Sequence, residues 1–148
     1  MLREILITYS IYDAELGYVQ GMNLITAILL YHIKSPEHTF WALVDLMEYR
    51  ELRMIYVGNL EHLVSHGNRI DHLICTTLNS LYVHMLKLGV NSRCFLDGWI
   101  LSLMSKIIPL EDMPSVLINF RKIGWNFIYQ LILSFFKALK DCLLMAEE

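Results

Sequence analysis

The 148-residue sequence is short of charge: Asp, Glu, Lys and Arg together make up only 18% of it. It holds just seven glycines and three prolines. Low charge beside 55% apolar residues excludes an intrinsically disordered chain, which needs the opposite balance. Scarce glycine and proline exclude collagen-like repeats and low-complexity linkers. A basic excess is missing too: twelve Lys and Arg face fifteen Asp and Glu, a formal charge of −3. Nothing there recommends nucleic acid as a partner. Three cysteines, Cys75, Cys94 and Cys142, include no CxxC pair. Such thiols, buried or free rather than bridged, fit a reducing compartment and a cytoplasmic protein.

Long hydrophobic runs are also lacking. The longest uncharged stretch, residues 16–33, sits at the lower edge of a membrane-spanning length. Gly17, Gln20, Gly21, Asn23, Thr26 and His32 interrupt it. A bilayer-crossing helix needs about 20 predominantly apolar residues, so a buried helix is the better account. The first nine residues do not follow the basic, apolar, small-residue layout of a secretory signal.

What the sequence does have is helical spacing, with alternation too brief for strands. Leu2, Ile5, Leu6 and Tyr9 predict a short helix ending near Asp13. A second begins around Gln20 and carries Leu24, Ile25, Ile28 and Leu29. Ser35-Pro36 marks a restart, serine capping the free amides and proline occupying the first helical position. That third helix presents Phe40, Trp41, Leu43, Val44, Leu46 and Met47. Leu60, Leu63 and Val64 precede an expected break at Gly67-Asn68. Apolar spacing resumes from Ile74 through Leu86 to a left-handed cap at Gly89. Further helices are expected over about 94–106, over 109–120 from Pro109, and from Trp125 to about Met145. The result is an all-α fold of about seven helices in one domain, 1–148. Met1-Leu2 and Leu144-Met145 are apolar where a free terminus is usually polar, as only Ala146, Glu147 and Glu148 are. The chain is therefore expected to be part of a larger domain.

Candidate chemistry is sparse. His62 and His66 are four apart, with Asp71 and His72 beyond, but they form half a metal site and lack a clear ligand set; no metal is expected. Cys94 with His84 or His72 carries no nucleophile signature, and a buried structural cysteine is the simpler reading. The glycines are too scattered for a phosphate loop. One segment stands apart, residues 13–23, Asp-Ala-Glu-Leu-Gly-Tyr-Val-Gln-Gly-Met-Asn. Gly17 and Gly21 permit positive dihedrals or close backbone approach. Gln20 falls near a helix N-terminus, whose free amides favour anionic groups. Spacing alone favours a glutamine that only satisfies local hydrogen bonds, since polar residues at helix starts are the rule.

Tyr18-Val19-Gln20-Gly21-Met22-Asn23 resembles the YxQGM(N) motif of the TBC domain, the catalytic domain of Rab GTPase-activating proteins. The lead-in from Ile5 to Gly17, Phe40-Trp41-Ala42-Leu43, Leu46-Met47, Leu52-Arg53 with Tyr56, Leu81-Tyr82 with His84, Trp99, Ile108-Pro109-Leu110 and Gly124-Trp125 follow in the family's order. The resemblance implies a multi-helix TBC-type domain, truncated at both ends. It also implies a regulator of a Rab-family small GTPase in vesicle trafficking, not an enzyme with its own substrate. Gln20 would be the catalytic finger that orients the attacking water in place of the GTPase's own glutamine. Tyr18, Gly21 and Met22 would shape the loop and pack it on the domain, and Asn23 would cap or brace it. GTP and Mg²⁺ belong to the partner, so no cofactor is implied. Membrane contact would be indirect, through the lipidated partner at endomembranes.

Two departures matter. The family's arginine motif, IxxDxxR, does not occur in this chain, and Arg3 lacks the preceding Asp. An arginine finger contributes about 10³–10⁵ in rate. Val116-Leu117-Ile118 stands where the family has an IWD-type motif, replacing an acidic brace with apolar contact. A catalytically weak TBC-like module that docks small GTPases or other proteins is the alternative reading, and a degenerate remnant the third.

Overall fold

The structure, a computed structural model, describes residues 1–58 and 61–146, with only the backbone at 96–97. Leu60, Glu147 and Glu148 lie outside the described residues. Helices α1 (Leu2–Tyr12), α2 (Met22–Ile33) and α3 (Pro36–Tyr49) pack against one another. A 3₁₀ turn, Leu52–Ile55, leads to α4 (Glu61–Thr77) and α5 (Asn79–Lys87). A second 3₁₀ turn, Ser92–Cys94, precedes the single turn α6 (Leu96–Trp99), and α7 (Met113–Ile123) and α8 (Trp125–Leu144) complete the order. The fold is all-α, and among the described residues there is no strand. No described helix is long and apolar enough to cross a membrane.

The apolar stripes explain the packing. Ile5 and Tyr9 of α1, Met22 and Ile25 of α2, and Leu43 and Met47 of α3 are all buried. Ser35 accepts from the His38 amide at the start of α3, with Pro36 at its first position. Gly89 takes the left-handed conformation at the end of α5.

Three expectations fail for identifiable reasons. First, α4 runs unbroken through Gly67-Asn68. Gly67 is buried on the same stripe as Leu63, Ile70 and Ile74, and an interior glycine costs a helix only about 1 kcal/mol. The interruption comes at Leu78 instead. Second, no helix spans 94–106: α6 ends at Trp99, and turns follow. Leu103 and Met104 adopt φ of 47° and 68° and are both fully buried. Third, Trp41 and Leu86 are half-exposed, Ile118 likewise, and Cys94 is at the surface rather than buried. Only minor shifts occur elsewhere, α2 starting at Met22 and α7 at Met113.

The histidine cluster disperses. His66 turns inward, its Nδ1 lying 2.6 Å from the Tyr129 hydroxyl and its ring 4.0 Å from that of Trp125. Asp71 accepts from the amide and hydroxyl of Ser92 at 2.9 and 2.7 Å, while His62 and His72 face solvent. Burial, helped by His62, holds the His66 pKa down to about 4 from 6.5. The folded state therefore binds fewer protons than the unfolded state between those values. Stability is complete above pH 6.5 and declines as pH falls towards 4. Allowing for the exposed edge of the ring, thermal denaturation should show a loss of roughly 1 kcal/mol between pH 6.5 and 5. His66→Gln should flatten that slope.

Candidate functional site

Helix α1 ends because Asp13 leaves helical geometry, and the chain then turns through residues 13–21 before α2. Asp13 organises the entry. Its carboxylate accepts from the Leu16 amide at 3.2 Å and from the Tyr9 hydroxyl at 3.3 Å. Arg53 grips it in a fork, Nε to Oδ2 at 2.6 Å and Nη2 to Oδ1 at 2.9 Å, with Nη2 also reaching Glu15 at 2.8 Å. That guanidinium, together with the Leu16 amide, outweighs burial and holds the Asp13 carboxyl below its ordinary range. Burial and the neighbouring carboxylate push the Tyr9 hydroxyl upward. Gly17 turns the chain at φ of 66°, its amide donating to the Asp13 carbonyl.

The exit is held differently. Gly21 sits at φ of 108°, with Leu101 where a side chain would have to go. An added Cβ would lie 3.1 Å from the Leu101 carbonyl oxygen and 3.5 Å from the Tyr56 ring. Tyr56, itself buried, donates to that same carbonyl at 2.6 Å. The Gly21 amide donates to the Asn23 side chain at 3.2 Å. Met22 is fully buried, its amide bonded to the Val19 carbonyl and its sulfur facing the Val19 amide.

Between these anchors Gln20 is exposed, and among the described residues no hydrogen bond engages its side-chain amide. It stands beside the N-terminus of α2, where no side chain caps the helix, so the positive end of the helix dipole lies next to it. Tyr18 does not pack into the core. It is half-exposed and borders a groove of about 320 Å³ along α1 with Leu2, Arg3, Leu6, Ile7 and Ser10. Gly21, Met22 and Asn23 form the base of the loop, while Tyr18 and Gln20 form its outer edge.

Sequence reasoning assigned none of Arg53, Asp13, Tyr9, Tyr56 and Leu101 a part in holding this loop. Arg53 and Asp13 are forty residues apart and Tyr56 and Leu101 forty-five; no helical or strand period links such positions. The signal present was an acidic pair ahead of the glycines and a basic residue between the apolar Leu52 and Ile55. Two other arginines are occupied elsewhere. Arg50 donates to the carbonyls of Arg121 and Lys122 at the end of α7, and Arg121 pairs with Asp45 at 2.8 Å.

Comparison with protein families matches residues 1–144 to the Rab-GTPase-TBC domain. The chain belongs to this family. Among curated relatives, the TBC region is 32% identical over 116 residues to the GTPase-activating protein GYP5 of Eremothecium gossypii. That alignment covers 78% of the chain and 14% of the relative. The Rab GTPase-activating protein eat-17 of Caenorhabditis elegans is 29% identical over 87% of the chain, again 14% of the relative. TBC1 domain family member 14 of Rattus norvegicus is 28% identical over 97% of the chain and 20% of its own length. The chain thus spans a fifth or less of the relatives it matches.

Proposed function

We propose that this TBC domain, 1–148, acts in a GTPase-activating protein for a Rab-family small GTPase, and that Gln20 enters the partner's nucleotide site. One observation carries the reading: Gln20 is exposed with its amide uncommitted, on a loop whose two ends are fixed. GTP hydrolysis is accelerated by aligning water and neutralising charge on the γ-phosphate. An amide can accept from the water through its oxygen while its NH₂ donates to phosphate or backbone. GTP and Mg²⁺ come with the partner, through whose lipid anchor this domain meets a membrane indirectly, and nucleic acid has no part in the reading. Tyr18 and the neighbouring groove contribute contact area, and Gly21, Met22 and Asn23 hold the loop's shape.

A second reading rests on a specific observation, the lack of an IxxDxxR arginine within this sequence. On that reading the domain docks a small GTPase and accelerates it weakly. GTP hydrolysis measured across a panel of purified Rab proteins separates the two. Acceleration above the intrinsic rate is expected, its size limited by the missing arginine, and it should persist for a Rab whose own water-orienting glutamine is replaced by leucine. If that substitution abolishes the response, the glutamine is not supplied in trans and the finger assignment fails.

A further inference from the structure

We propose that Arg53 is the positioning residue of the Gln20 loop, its fork on Asp13 setting where the finger points. The inference rests on the GTPase-activating reading for its catalytic consequence, but its structural content is independent.

The 3₁₀ turn that carries Arg53 is rigidly seated, because Leu52 and Ile55 on either side are fully buried. From this one turn two clamps reach the loop. Arg53 fixes the entry at Asp13, and Tyr56, one residue past the turn, crowds the exit by holding the Leu101 carbonyl under Gly21. Gln20 lies on the span between the two. Asp13 transmits the grip, because the carboxylate that accepts the guanidinium also accepts the Leu16 amide. The turn at 13–17 therefore takes its orientation from Arg53.

Exposed ion pairs usually contribute little. This one differs in geometry and setting. It is bidentate, which fixes direction as well as distance, and the two side chains keep only 24% and 13% of their exposure. The contact to Glu15 is of the ordinary kind, since that carboxylate is 82% exposed. Arg121 on Asp45 offers an internal comparison, a similar fork between α3 and α7, away from the loop.

Two measurements on Arg53→Met, Arg53→Lys, Asp13→Asn and the double variant Arg53→Met with Asp13→Asn test the inference. In hydrogen exchange, the amides of residues 14–22 should exchange at least tenfold faster in R53M and D13N while α8 keeps its protection. R121M should leave that window unchanged. In single-turnover GTP hydrolysis with a panel of Rab proteins, kcat should fall about 10- to 100-fold, the scale of a misplaced catalytic group. KM should change little, R53K should recover part of the loss, and the double variant should be no worse than either single. Because R53K and D13N preserve side-chain volume, they report even if R53M folds poorly. Unchanged exchange at 14–22, or additive losses in the double variant, overturns the proposal. If the unmodified protein accelerates no Rab, the functional reading falls, and exchange alone still decides whether Arg53 braces the loop.

Discussion

Gln20→Ala is expected to reduce stimulated GTP hydrolysis about 10²–10³-fold, the loss typical of removing one donor from a charge-stabilising site. Folding should be untouched. Gln20 is exposed and unbonded within the loop, and surface changes of that kind stay within about 0.5 kcal/mol. Rab binding measured with a non-hydrolysable nucleotide should also survive, since the contact area around Tyr18 is retained. The loss then falls on the chemical step, as expected for an interaction realised in the transition state. Gln20→Glu should be no better than alanine, because a carboxylate cannot donate to phosphate and adds negative charge beside it. An alanine variant as fast as the unmodified protein would remove the finger from the mechanism.

Gly21→Ala acts on the scaffold instead. At φ of 108° an alanine is strained, typically by about 1–3 kcal/mol, and here its methyl group meets a backbone oxygen at 3.1 Å. That oxygen is held by Tyr56 and cannot swing aside without breaking a part-buried hydrogen bond. A total of about 2–4 kcal/mol of destabilisation is expected, read as a fall in the denaturation midpoint. Hydrolysis should fall too, since Gln20 is the preceding residue. Gly17→Ala is the control. Its φ is 66° and nothing lies within 4 Å of the added carbon, so only the left-handed dihedral is charged, about 1–2 kcal/mol. Equal losses at the two positions would mean that contact with Leu101 is unimportant.

The two glycines show how much could be read in advance. Their positive dihedrals followed from residue type and from their place between two helices, as did the Ser35-Pro36 start and the last helix from Trp125. Periodicity served where one face of a helix meets the core. It misled at Gly67, where glycine is chosen for the buried stripe rather than for a break. It misled again over 94–106, where the chain leaves helical geometry after Trp99 and Leu103 and Met104 are buried at positive φ. The motif located Gln20, but not what holds it. Asp13 with Arg53 and Gly21 with Leu101 are partnerships made by the tertiary fold, and local spacing does not pair them.

Those long separations also order events in time. The Gln20 loop is synthesised before its two anchors, which lie at residues 53–56 and 101. Until that later stretch has collapsed onto α1 and α2, the turn has neither its counter-charge nor its floor. Contacts so distant in sequence form slowly, because loop closure must be achieved first. A nascent chain emerging from the ribosome would carry Gln20 in an unfixed segment until residue 101 has followed and packed beneath it.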